Sequence, residues 1–106
     1  LTHYVVVRRD LPLGVLAAQV IHATGVSTDR HPPGTYVVAL AARNEQHLKQ
    51  IADALHLHKI THHHVVESDR PYTDQLMALG LEPVRDRTDV RKVLSSLPLL
   101  GKEATR

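Results

Sequence analysis

Three features of the sequence predict a small α/β domain, a mixed four-stranded sheet with helices packed on it, in the order β-α-β-α-β-β-α. Unbroken, mostly β-branched runs, Tyr4-Val5-Val6-Val7 and Thr35 to Ala41, have the composition of strands covered on both faces. The segments that follow them carry apolar residues at helical spacing. A short polar link joins the last two strands, which marks an antiparallel pair, whereas the two strand–helix–strand crossovers imply parallel pairings.

The first strand ends at Arg8-Arg9-Asp10. Asp10 is a candidate cap for a helix with Pro12 in its first turn. The predicted inward face of that helix is Leu13, Leu16, Ala17, Val20 and Ile21, and Gly25 is its predicted stop. Ser27 to Gly34 reads as a polar loop broken by Pro32-Pro33-Gly34. After the second strand, Asn44 predicts the N-cap of a helix that turns Leu48, Ile51, Ala52 and Leu55 inward. His62 to Glu67 is the third predicted strand, Ser68 to Thr73 a turn, and Gln75 to Leu81 the fourth strand. Thr88 or Asp86 caps a last helix, with Val90, Val93, Leu94 and Leu97 inward. The tail after Gly101 is expected to fray.

A chain of 106 residues is one domain, and 42% hydrophobic residues supply one core. A domain this short gains from sharing a surface with a copy of itself. Thirteen Lys and Arg against eleven Asp and Glu leave a net +2, too mild to argue nucleic acid by itself. Three Tyr, with no Phe or Trp, exclude a base-stacking surface, so any RNA contact would be made to phosphates. The absence of cysteine excludes disulfides and thiolate chemistry. There is also no membrane-spanning apolar run and no charged-then-apolar start, and the expected location is cytoplasmic.

In open α/β sheets ligands lie outside the carboxyl ends of parallel strands. That point is Arg8-Arg9-Asp10 and the helix start from Leu11 to Gly14. The free N–H groups of a first turn favour anions, Arg8 and Arg9 add positive charge, and Gly14 would let a substrate approach the backbone. On the helix, Val15, Gln19 and His22 lie along one stripe. Spacing alone fits either an amphipathic boundary, with Gln19 and His22 half-solvated, or the wall of a crevice.

The run Val7-Arg8-Arg9-Asp10-Leu11, followed by Gly14-Val15-Leu16-Ala17-Ala18-Gln19-Val20-Ile21-His22-Ala23, resembles the opening signature of the type II peptidyl-tRNA hydrolases. That signature reads Val-Arg-x-Asp-Leu, then Gly-Lys-x-Ala-Ala-Gln-x-x-His-Ala. With the element order and the closing Leu97 to Leu100, the resemblance extends over nearly the whole chain, as one domain over 1–106. It implies a mixed four-stranded sheet flanked by helices, a homodimer, and hydrolysis of the ester joining a peptide to the 3′ end of tRNA. It implies tRNA as the partner, no membrane, and neither metal nor other cofactor. Val15 stands where the family has its lysine, and the spacer between Leu11 and Gly14 is shorter. The family's second signature, Asp-x-Gly-x-Thr-Gln and then Pro-Gly-Thr, gives way here to the shorter Val66 to Asp74. The pattern looks more like the divergent branch of peptidyl-tRNA hydrolase domain-containing proteins, which also lacks the lysine, than like the standard enzyme.

Ester hydrolysis needs an activated water and a donor for the developing oxyanion, and Val15 supplies neither. The resemblance makes His22 the candidate base, with an imidazole suited to neutral pH. Glu67 or Asp69 would orient it, and Gln19 or a helix N–H would hold the oxyanion. Arg8, Arg9, Asp10, Gly14 and Thr73 are the candidate substrate-binding residues. The alternative is a non-catalytic module of the same fold that binds RNA or a protein, an outcome that the Val15 position favours.

His56, His58, His62, His63 and His64 cluster in sequence. A zinc site needs converging ligands, usually with carboxylate or thiolate support, and nothing in the spacing fixes convergence. The expectation is a solvated strand face at a sheet edge and no metal. Arg85, Arg87, Arg91 and Lys92 read as the solvated start and face of the last helix, or as a docking surface for tRNA phosphates.

Overall fold

β1 (Thr2–Arg8) is buried along its whole length in the computed structural model, which describes residues 1–102. The fraying expected beyond Gly101 falls, from residue 103 on, outside the described residues. The burial of β1 follows from its place. The sheet runs β2-β1-β4-β3, where β2 is Tyr36–Ala42, β3 is His62–Val66 and β4 is Leu76–Leu81. Both interior strands, β1 and β4, are buried at every position, whereas β2, an equally apolar run, lies at an edge. β1 pairs parallel with β2, from Thr2 opposite Tyr36 to Arg8 opposite Ala42. β4 pairs antiparallel with both β1 and β3. The second crossover therefore joins strands at opposite edges and makes no neighbouring parallel pair, unlike the first.

The outer strands are less covered than the sequence predicts. Tyr36 and Val37 of β2 are exposed because the strand has a neighbour on one side only. Its inner half is sealed by the chain end, where the Ala41 N–H donates to the Pro98 carbonyl (3.0 Å) and the Leu100 N–H to the Ala39 carbonyl (2.9 Å). β3 is the other edge, and its histidines lie on a solvated strand as expected. His62 and His64 share one face, ring centroids 5.3 Å apart. His63 points the other way, its Nε2 3.0 Å from a Glu82 carboxylate oxygen. Among the described residues, no three His, Cys, Asp or Glu side chains converge as metal ligands would.

α1 (Leu13–Ser27) covers one face of the sheet, and α2 (Glu45–Leu57) and α3 (Thr88–Leu94) cover the other. Under α1 lie Val5, Val7, Met77 and Ala78; under α2 and α3 lie Tyr4, Val6, Leu79 and Leu81. α2 matches its sequence pattern fully. Asn44 caps it through a bond from the His47 N–H (2.9 Å), and Leu48, Ile51, Ala52 and Leu55 are buried. In α3, Val90 and Leu94 are buried, and the Asp86 carboxylate accepts from the Thr88 N–H (2.9 Å), so Asp86 closes the N-terminus. No helix among the described residues is long and apolar enough to cross a membrane.

α1 departs from its predicted face. Leu16, Gln19, Ala23 and Ser27 are buried, whereas Leu13 is 82% and Ile21 72% exposed. Pro12, not Asp10, occupies the cap position, because Asp10 is held by Arg8. Gly25 does not stop the helix, which runs on to Ser27. The end is fixed by a buried polar chain. Ser27 Oγ donates to the Ala23 carbonyl (2.6 Å) and so accepts from His3 Nε2–H (2.7 Å). That leaves His3 Nδ1 as acceptor for His31 Nε2–H (2.7 Å), which ties the loop before β2 to β1. Burial, and then the neighbouring His31, hold the pKa of His3 below the ordinary histidine value.

Candidate functional site

The carboxyl end of β1 carries a cation that is buried rather than offered to solvent. The Arg8 side chain is only 7% exposed. Its Nε and Nη2 donate to the two carboxylate oxygens of Asp10, both at 2.9 Å, a bidentate pair closed over two residues. Nη1 donates to Gln75 Oε1 (2.8 Å) and to the Leu76 carbonyl (3.3 Å). The guanidinium also stands 5.9 Å from the centre of the Tyr72 ring. The hydrogen bonds to Arg8 hold Asp10 below the usual carboxylate range. Arg8 and Asp10 are thus brought together, but as a structural clamp between β1 and the start of β4.

Gln19 and Glu67 also meet. Gln19 is buried, and its Nε2 donates to Glu67 Oε2 at 3.5 Å, a long bond from the middle of α1 to the end of β3. The other carboxylate oxygen of Glu67 accepts the backbone N–H groups of Ser68 (2.9 Å) and Asp69 (3.3 Å). The Glu67 backbone pairs with that of Gln75, whose side chain holds Arg8. Gln19, Glu67, Gln75, Arg8 and Asp10 therefore form one polar seam across the end of the sheet.

The remaining candidates lie outside that seam. His22 is exposed and, among the described residues, forms no hydrogen bond with Glu67 or Asp69. It follows Gln19 by three residues, so the two side chains are surface neighbours on the helix. Asp69 and Thr73 are exposed in the β3–β4 link. Gly14 is exposed with open space where a side chain would stand, so nothing in the fold itself requires a glycine there. Val15, in the position of the family lysine, packs partly buried against the α1-side core.

Arg9 points elsewhere again. It lines a cavity of about 390 Å³ together with Arg43 and His47, neither of which sequence reasoning had singled out. Arg43 was legible from register, since it follows β2 as Arg9 follows β1. His47 was not, because only the fold turns the first turn of α2 towards those two arginines.

No protein-family model matches the chain, and no curated protein matches it.

Proposed function

We propose that the chain hydrolyses the ester between a peptide and the 3′ end of tRNA, in the cytoplasm and without a cofactor. The observation that carries this reading is the Gln19–Glu67 contact. Two polar residues far apart in sequence meet at the end of the sheet, and His22 follows Gln19 by one turn of α1. Each has a part in the chemistry. His22 takes a proton from water, and the hydroxide attacks the ester carbonyl carbon. The second N–H of the Gln19 amide stabilises the oxyanion. The carbon–oxygen bond to the tRNA then breaks, and His22 returns the proton to the departing 3′ oxygen. Glu67 holds Gln19 in place, and the Arg8–Asp10 clamp fixes the strand end on which the site is built.

Incubation of purified protein with peptidyl-tRNA and a chelator tests this. Turnover is expected, with His22→Ala and Glu67→Gln each slower by roughly a hundredfold. A wild-type rate in His22→Ala overturns the base assignment. Salt-sensitive binding without turnover by the wild type overturns the hydrolase and leaves the RNA-binding module that Val15 favours.

The same reading includes a homodimer. Leu13, Ala17 and Ile21, at i, i+4 and i+8 of α1, are exposed, Leu13 at 82% and Ile21 at 72%, an apolar stripe that a second copy would cover. Sedimentation is expected to give a dimer for the wild type and a monomer for Ile21→Lys. A wild-type monomer at tens of micromolar would remove this part of the proposal.

A further inference from the structure

The cavity at the carboxyl ends of the two parallel strands stands apart from the Gln19–Glu67 seam, and it has its own chemistry. Its basic walls come from three elements. Arg9 follows β1, Arg43 follows β2 one residue beyond the Arg8–Ala42 pair, and His47 sits in the first turn of α2. Ser96, Leu97 and Pro98 of the closing segment form the opposite wall.

Nothing among the described residues compensates the positive charge of this cavity. Among the described residues, neither the Arg9 nor the Arg43 side chain has a hydrogen bond or an ion pair. The neighbouring carboxylate, Glu45, is engaged elsewhere: it accepts the Leu76 N–H (2.8 Å) and pairs with Lys49 (3.5 Å). The backbone N–H of Arg43 donates to His47 Nδ1 at 3.0 Å, which puts the imidazole proton on Nε2 and makes that atom a donor. Burial, and then the charges of Arg43 and Arg9, hold His47 below the ordinary histidine pKa. At neutral pH the imidazole is therefore a neutral donor flanked by two cations. The N-terminus of α2 adds its partial positive charge to the same end.

We propose that this cavity binds a phosphomonoester. Two guanidinium groups balance a dianion, where a phosphodiester would bring one charge only. His47 Nε2–H supplies a directed hydrogen bond. A volume of about 390 Å³ falls in the range of small-molecule sites and leaves room, against Leu97 and Pro98, for the group that carries the phosphate. The location, outside the ends of parallel strands, is where α/β sheets take such ligands. This inference does not depend on the hydrolase reading, since none of its residues acts on the ester.

The test is a titration of the full chain at constant ionic strength, followed by amide and imidazole NMR. One arm uses inorganic phosphate; the other uses a short oligoribonucleotide with and without a 5′-phosphate. Saturable shifts are expected at Arg9, at residues 43–47 and in the His47 ring. Arg9→Gln and Arg43→Gln should each weaken binding roughly tenfold, the loss of one charge-assisted interaction. Arg30→Gln, in the loop that precedes β2 at the other end of the sheet, should leave it unchanged. Both arginines are exposed, so neither variant threatens the fold. Saturation by inorganic phosphate identifies a free phosphate group as sufficient. Saturation only by the 5′-phosphorylated strand assigns the site to a nucleic-acid end. The proposal is overturned by the absence of saturation in both arms, by equal binding of the two oligonucleotides without phosphate binding, or by wild-type affinity in Arg43→Gln.

Discussion

Replacing Gly80 by alanine should cost about 3 kcal/mol or more of folding stability, the upper range for forcing an atom into a packed core. A Cβ at this position of β4 would meet the Ala23 carbonyl oxygen at 2.2 Å, Ser27 Oγ at 2.6 Å and Ser27 Cβ at 2.9 Å. The closest of these atoms belongs to helix backbone, which cannot swing aside as the end of a long side chain can. To admit one methyl group, the C-terminal half of α1 must lift from the sheet. Lifting it stretches the bond between Ser27 and His3, so a buried imidazole loses its acceptor as well. Urea denaturation measures the loss directly, against a total of about 5–15 kcal/mol for a domain of this kind. Gly25→Ala provides the contrast. It lies within α1 with nothing near its missing side chain, so alanine should stabilise by about 0.5–1 kcal/mol. A loss below about 1 kcal/mol in Gly80→Ala would mean that α1 does not rest on β4 as described.

The same contact explains why part of the fold was legible in the sequence and part was not. α2 has a polar face, an apolar face and an asparagine cap, and each gives the same local answer. α1 has apolar residues almost all the way round, so spacing alone cannot choose which of them turn inward. The choice is made by partners distant in sequence: the small Ala78 and Gly80 beneath Ala23, His3 at Ser27, and Glu67 at Gln19. Leu13, Ala17 and Ile21 read as core in sequence and are exposed in the fold for that reason. At the site, Gln19 and Glu67 were named separately and do meet. The burial of Arg8 was not legible, because Gln75 and Leu76, which receive its guanidinium, lie at the start of β4, 67 and 68 residues further along the chain. A charge at a strand end, read from sequence, faces solvent by default.

That burial gives Asp10 a weight its exposed position hides. Asp10→Ala should destabilise by about 3 kcal/mol, the lower end for removing one partner of a buried ion pair. The lower end applies because Gln75 and the Leu76 carbonyl still receive Nη1. The asymmetry of the pair sharpens the expectation. Asp10 is 38% exposed and would be hydrated after Arg8→Leu, whereas Arg8, at 7%, would keep an uncompensated charge after Asp10→Ala. The double variant Arg8→Leu, Asp10→Ala should therefore be more stable than Asp10→Ala alone, and the reverse order would show that Arg8 reaches water. Acid should expose the same clamp. The native pKa of Asp10 lies below its unfolded value, so the unfolded chain binds the proton first and stability falls with pH. The stabilisation is fully present above the unfolded value, near 3.8, and is lost as the pH passes through the lower native one. His3 acts earlier with the same sign: its depressed native pKa makes stability fall as the pH drops below about 6.5, until the native imidazole itself takes the proton. Melting temperature against pH should then show two separate losses. His3→Gln should shrink the one near neutrality, to which His47 and His64 also contribute, and Asp10→Asn the one in acid, to which Asp86 also contributes. A single loss common to both variants would place the two groups in one titrating unit and break the assignment of Asp10 to Arg8 alone.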